Sequence, residues 1–171
     1  LLLGGGARSS IGRDLALARK RMPEMAADDP DLSRFAARGG KLILYQGWLD
    51  PSIIASQSLD YAAAVRAKMG ARADDMLRLY MVPGMPHCGG GEGVNQFGGS
   101  GSALPLGAAN RDLLTAVVDW VELGKAPQGI TGTRLEGGRV TRERLLCPYP
   151  LVARPSTADA ANQRCVARSQ P

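Results

Sequence analysis

The sequence predicts an α/β fold of parallel strands joined by crossover helices. Residues 41–46 and 77–82 are two apolar runs without the alternation of a half-buried strand. Each fits a strand covered on both faces, as in a parallel sheet. Residues 52–69 lie between them with helical spacing, and a second helix follows from Asn110, so the order is strand, helix, strand, helix. Two strands make a poor sheet by themselves. The remaining strands are expected N-terminal to Leu1.

Along the chain, residues 14–25 read as a helix ending in the basic trio Arg19-Lys20-Arg21 and interrupted by Pro23. Asp29 or Asp31 is placed to cap a short helix over residues 32–38, which Gly39-Gly40 ends. The first strand, 41–46, leaves through Gly47-Trp48-Leu49-Asp50-Pro51. In the helix over 52–69, Ile54, Tyr61, Val65 and Met69 form the expected inner stripe, and Gly70 stops it. The second strand, 77–82, runs into the tight loop Pro83-Gly84-Met85-Pro86-His87-Cys88. Residues 89–101 hold seven glycines and read as an irregular connection. Asn110 is expected to cap the last helix, with Asp112 in its first turn and Leu113, Leu114, Val117, Val118 and Val121 as its apolar face. Gly124, Lys125 and Pro127 end it. Residues 130–171 carry little periodic signal and are expected to be irregular.

Composition excludes several classes. The chain has 171 residues, 44% hydrophobic and 22% charged, which are globular proportions. No apolar run approaches the roughly 20 residues of a membrane span. The opening LLLGGG is too short for a signal-peptide core and lacks an initiator Met, so the chain is expected to be part of a longer polypeptide. The net charge of +5 comes mostly from 17 arginines, but no basic block exceeds three residues and aromatics are only 5%. A nucleic-acid partner is not expected.

Ligands of open α/β sheets gather at the carboxyl ends of the strands. Asp50 leaves the first strand there, and His87, the only histidine, leaves the second 37 residues later. Acid before histidine is the order of an α/β-hydrolase triad. The acid would fix the imidazole tautomer and stabilise the imidazolium, while the other ring nitrogen would serve a serine. Two blander readings stand beside this. Asp before Pro is ordinary turn chemistry, and a lone histidine is often structural. No Gly-x-Ser-x-Gly occurs, and Ser100 follows no strand, so no nucleophile is recognised in the chain. Cys147 and Cys165 look like a disulfide stapling the tail. Cys88 is left over, as a catalytic thiol in need of a base, a zinc ligand with His87 that lacks further ligands at sensible spacing, or a partner of a cysteine elsewhere.

Several segments together resemble the tannase/feruloyl esterase family. They are residues 39–51 (GGKLILYQGWLDP), residues 81–91 (MVPGMPHCGGG), residues 118–127 (VDWVELGKAP), and Leu146-Cys147-Pro148-Tyr149-Pro150 followed by Asp159-Ala160-Ala161-Asn162 before Cys165. The resemblance spans about residues 28–166. It implies the C-terminal portion of an α/β-hydrolase fold, with the lid domain and N-terminal strands absent. Residues 1–27 would return from the lid, 28–129 would be the acid-and-histidine half of the core, and 130–171 a closing segment with a disulfide. The family's acid maps onto Asp50, its histidine onto His87, and one disulfide onto Cys147–Cys165. Cys88 maps onto the cysteine that bonds a residue beside the nucleophilic serine, which would lie outside this chain. Gln46 and Leu49 depart from the family's frequent histidine and alanine. The nucleophile, oxyanion hole and a calcium loop would lie in the missing N-terminal part, and no cofactor is expected in the chain itself. The implied activity is hydrolysis of phenolic esters such as gallates and ferulates, in a secreted or periplasmic protein. A non-catalytic binding domain, an esterase for other aryl esters such as terephthalate half-esters, and a zinc site at His87 and Cys88 are the alternatives.

Overall fold

The computed structural model describes residues 10–25, 27–99, 108–156 and 159–168. Helix α1, Ile11–Arg21, starts three residues earlier than expected, buries none of its residues, and gives way to a 3-10 turn at Pro23–Met25. Pro23 lacks the N–H that would continue the α-helical ladder. In α2, Ser33–Ala37, the capping position falls on Leu32. Asp31 still satisfies a free donor, its Oδ1 accepting the Ser33 N–H at 3.0 Å.

Strands β1, Leu42–Gly47, and β2, Leu77–Val82, pair in parallel, with Leu42 opposite Leu77 and Gly47 opposite Val82. Helix α3, Ala55–Met69, makes the crossover. Each face of the sheet is covered, which is why neither strand alternates. Leu77, Leu79 and Met81 join Ala62, Val65 and Met69 of α3 in one core cluster. Tyr80 and Val82 point the other way, to Leu113 and Ala116 of helix α4, Leu113–Leu123, in a second cluster.

Two helix faces differ from the sequence expectation. Ile54 precedes α3 and is exposed, so the buried stripe is Ala62, Val65 and Met69. In α4 the buried residues are Leu113, Ala116 and Trp120, whereas Leu114, Val118 and Val121 face outward. Its apolar residues cover more than the side that meets the sheet, so counting large side chains did not reveal which of them are buried. Its cap is Asp112, not Asn110: Asp112 Oδ1 accepts from Leu114 N at 2.8 Å and Thr115 N at 3.0 Å. The Asn110 carbonyl instead accepts the Thr131 N–H at 2.7 Å.

The C-terminal segment is not irregular. It forms the antiparallel pair β3, Ile130–Glu136, with β4, Arg139–Leu146, and the pair β5, Val152–Ser156, with β6, Asp159–Val166. Gly137 and Gly138 join the first pair, both at positive φ as a two-residue hairpin turn requires. The disulfide Cys147–Cys165 ties the start of the second hairpin region to β6. A bridge from Tyr80 to Pro148 docks this segment along β2. Residues 89–99 are bends, with Gln96 bridged to Thr133 of β3. Ser100 and the start of the chain, 1–9, lie outside the described residues.

Candidate active site

β1 and β2 run in parallel, so the loops after them emerge at the same edge. Gly47, the last residue of β1, lets the two loops touch: a Cβ there would overlap the carbonyl oxygens of Met85 and Pro86. Trp48 N donates to Val82 O at 3.1 Å and Leu49 N to Met85 O at 3.1 Å, fastening the acid loop to the histidine loop. The result is that Asp50 Oδ2 stands 2.8 Å from His87 Nδ1, across 37 residues of chain.

The two carboxylate oxygens of Asp50 have separate partners. Oδ1 accepts the N–H groups of Ser52 at 2.8 Å and Ile53 at 2.9 Å, which is turn chemistry. Oδ2 meets His87 and also accepts Gln46 Nε2 at 2.8 Å. The Asp50 side chain is only 2% exposed and that of His87 52%. Burial pushes the Asp50 carboxyl up, but the Ile53 N–H, the His87 ring, the Ser52 N–H and the Gln46 amide together hold it well below the usual carboxylate range. The carboxylate is therefore ionised and only accepts, so His87 Nδ1 carries the proton toward it. In the neutral ring this leaves Nε2 as the basic nitrogen.

Gln46, noted only as a departure from the family pattern, proves to be a support for the acid. Its Nε2 also donates to the Ile53 carbonyl at 3.1 Å, and Ser58 Oγ donates to its Oε1 at 3.1 Å. Its place four residues before Asp50 was visible in the sequence. Ser58, on the crossover helix, was not connected to the site by any sequence signal. Cys88 is exposed and unpaired among the described residues, and it adopts φ 61°, a left-handed conformation rare for a non-glycine residue. Among those residues no group of three or more His, Cys, Asp or Glu side chains is placed to hold a metal ion. No helix among them is long and apolar enough to cross a membrane.

A carboxylate–imidazole pair at the carboxyl edge of parallel strands, with helices on both faces, places the molecule in the α/β-hydrolase-like class. Its structure is similar to the crystal structure of feruloyl esterase B from Aspergillus oryzae, with a TM-score of 0.78 and 31% identity, covering 90% of this chain and 32% of that one. It is also similar to tannin acyl hydrolase from Aspergillus niger, with a TM-score of 0.70 and 25% identity, covering 90% of this chain and 27% of that one. In sequence it is 41% identical over 131 residues to mono(2-hydroxyethyl) terephthalate hydrolase of Piscinibacter sakaiensis, covering 75% of this chain and 19% of that protein. It is 36% identical over 139 residues to feruloyl esterase B of Aspergillus niger, covering 78% and 27%. The family description "Tannase and feruloyl esterase" matches residues 12–166, and the chain belongs to that family. It spans from about a fifth to a third of the length of these relatives.

Proposed function

We propose that this chain is the acid-and-histidine part of a serine esterase that hydrolyses phenolic esters. The observation that carries the reading is the 2.8 Å contact between the buried Asp50 carboxylate and the half-exposed His87 ring. A serine from outside these residues attacks the ester carbonyl while His87 Nε2 takes its proton. The imidazolium that forms is stabilised by Asp50 and returns the proton to the leaving alcohol. Water then adds to the acyl-enzyme by the same relay and frees the acid.

Two features support the view that more polypeptide completes the core. β1 pairs only with β2 among the described strands, leaving its other edge open. α4 turns Leu114, Val118 and Val121 outward as an exposed apolar face. Cys88 is then available to a cysteine beside the nucleophile, and the Cys147–Cys165 bond suits an oxidising compartment, secreted or periplasmic. The walls of the acyl pocket are assigned to the same outside part. A cavity of about 380 Å³ lies between Trp48, Pro83 and Tyr149, and neither Asp50 nor His87 lines it.

A second reading, a terephthalate half-ester as substrate, is favoured by the 41% identity to the Piscinibacter hydrolase. Fluorophosphonate labelling of the full-length protein, followed by peptide mapping, tests the esterase reading. Label on a serine adjoining a cysteine upstream of Leu1 is the expected result. Folded protein that takes no label would leave a binding domain in its place. Comparing hydrolysis of methyl ferulate, methyl gallate and mono(2-hydroxyethyl) terephthalate then separates the two substrate classes.

A further inference from the structure

The histidine loop is held from outside by β3. Residues 91–93 fold back flat on residues 83–86: Gly93 N donates to Gly84 O at 3.2 Å. A Cβ on Gly91 would overlap the Gly84 carbonyl and the Pro86 ring, and one on Gly93 would overlap the Pro83 carbonyl. On their other side, Met85 and Pro86 rest on Gly47. His87 is the next residue. Whatever places residues 91–93 therefore presses the histidine loop against the end of β1.

Arg134 of β3 does this. Its Nη1 donates to the carbonyls of both Gly91 and Gly93, the latter at 3.2 Å. Its Nε meets Glu136 at 2.6 Å, and its Nη2 lies 3.6 Å from Glu92. The side chain is only 15% exposed. Neighbouring groups work in the same direction: Arg142 Nη1 donates to the Glu92 carbonyl at 3.2 Å, and the Thr133 carbonyl accepts from Asn95 N and Gln96 N at 2.9 Å. The left-handed φ of Cys88, between His87 and the clamped glycines, is a conformation that persists only where the surroundings over-determine it.

We propose that Arg134 is a positioning residue for His87, clamping the glycine segment beneath the histidine loop and so setting the reach of the imidazole. The inference rests on the esterase reading. A planar fork is needed because two carbonyls and two carboxylates are served from one group; an ammonium cannot reproduce that geometry.

In the full-length enzyme, Arg134→Gln is expected to lower kcat by about ten- to a hundredfold with KM nearly unchanged, since small displacements of a reacting group cost that much. Rates are read well below each variant's melting temperature. The His87 Nδ1 proton, which resonates far downfield when shared with a carboxylate, is expected to move or broaden. Gly91→Ala, which disturbs the same contact with the arginine in place, is expected to do likewise, and Arg134→Lys to restore only part of kcat. A wild-type kcat and an unmoved proton in folded Arg134→Gln, with only a lower melting temperature, would overturn the proposal. If that variant does not fold, the same result in both Gly91→Ala and Arg134→Lys overturns it. Wild-type turnover in His87→Ala, by contrast, removes the esterase reading and this inference with it. Loss of turnover there with no effect at Arg134 removes the inference alone.

Discussion

Asp50 uses its two carboxylate oxygens separately. One closes the turn at Ser52 and Ile53, and the other holds His87 and Gln46. Replacing it with Asn keeps the shape but supplies an NH₂ or a weaker acceptor where the Nδ1 proton points. Asp50→Asn in the full-length enzyme is expected to lower kcat by about 10⁴-fold while the fold is kept, the magnitude known for the wrong imidazole tautomer in a serine triad. Steady-state kinetics with a circular-dichroism check on folding measures it. The contacts of Asp50 were foreshadowed in the sequence only as a pair of alternatives, a turn or a partner for histidine, because strand order and loop position indicate an edge but not a contact. The contributions of Gln46 and Ser58 were not legible, since Ser58 lies on α3, 12 residues along the chain from the Gln46 amide it meets.

At the scale of elements, the charged ends of helices carry testable consequences. Asp112 caps α4 with two backbone bonds, so Asp112→Ala is expected to cost about 1 kcal/mol of stability in chemical denaturation. Asp31 links α2 to α3: its carboxyl, lowered to about 2 chiefly by the Ser33 side chain and N–H, also meets Lys68 Nζ at 3.2 Å. A folded value below the unfolded one means the stabilisation is complete above about pH 4 and is lost as pH falls through the folded value. Urea titrations of wild type and Asp31→Asn are thus expected to differ at pH 7 and to converge near pH 2; a constant difference would rule out the linkage. The effect is expected to be modest because both groups are partly solvated. β1, β2 and the existence of α3 and α4 were legible from continuous apolar runs and glycine stops. The buried faces of the helices were not, because Ala62 and Ala116 face the sheet by virtue of being small, and residue size gives periodicity no weight. The β3–β4 hairpin was missed although Gly137-Gly138 marks its turn: β4, with its run of charged residues, lacks an apolar face to signal a strand.

For the molecule as a whole, the C-terminal hairpins are tied to the core by Ile130 and Leu146, buried in one cluster with Tyr80 and Val82, by Tyr149 N donating to the Leu79 carbonyl at 2.7 Å, and by Arg66 Nη2 donating to the Tyr149 carbonyl at 3.1 Å. Cys147→Ser is expected to lower stability by about 2–4 kcal/mol, as removal of a cross-link closing a loop of this size does, with turnover at low temperature nearly kept. Cys88→Ser is expected to lower turnover more than stability, because Cys88 adjoins the imidazole and the 147–165 bond does not. Parallel measurements of melting temperature and kcat in the full-length protein decide between these patterns.

The amino-acid sequence by itself determined the two buried parallel strands, the crossover helix, the order of acid before histidine, and the pairing of Cys147 with Cys165. These follow from local composition: runs of apolar residues, glycine and proline stops, and spacing along one chain. Tertiary structure alone decided which oxygen of Asp50 meets which nitrogen of His87, that Gln46 and Ser58 steady the acid, and that Arg134 reaches back to Gly91 and Gly93. Those contacts join residues from 4 to 43 positions apart. They arise from how β1, α3, β2 and β3 stack, and no period or motif in the chain encodes the distance between two side chains on different elements.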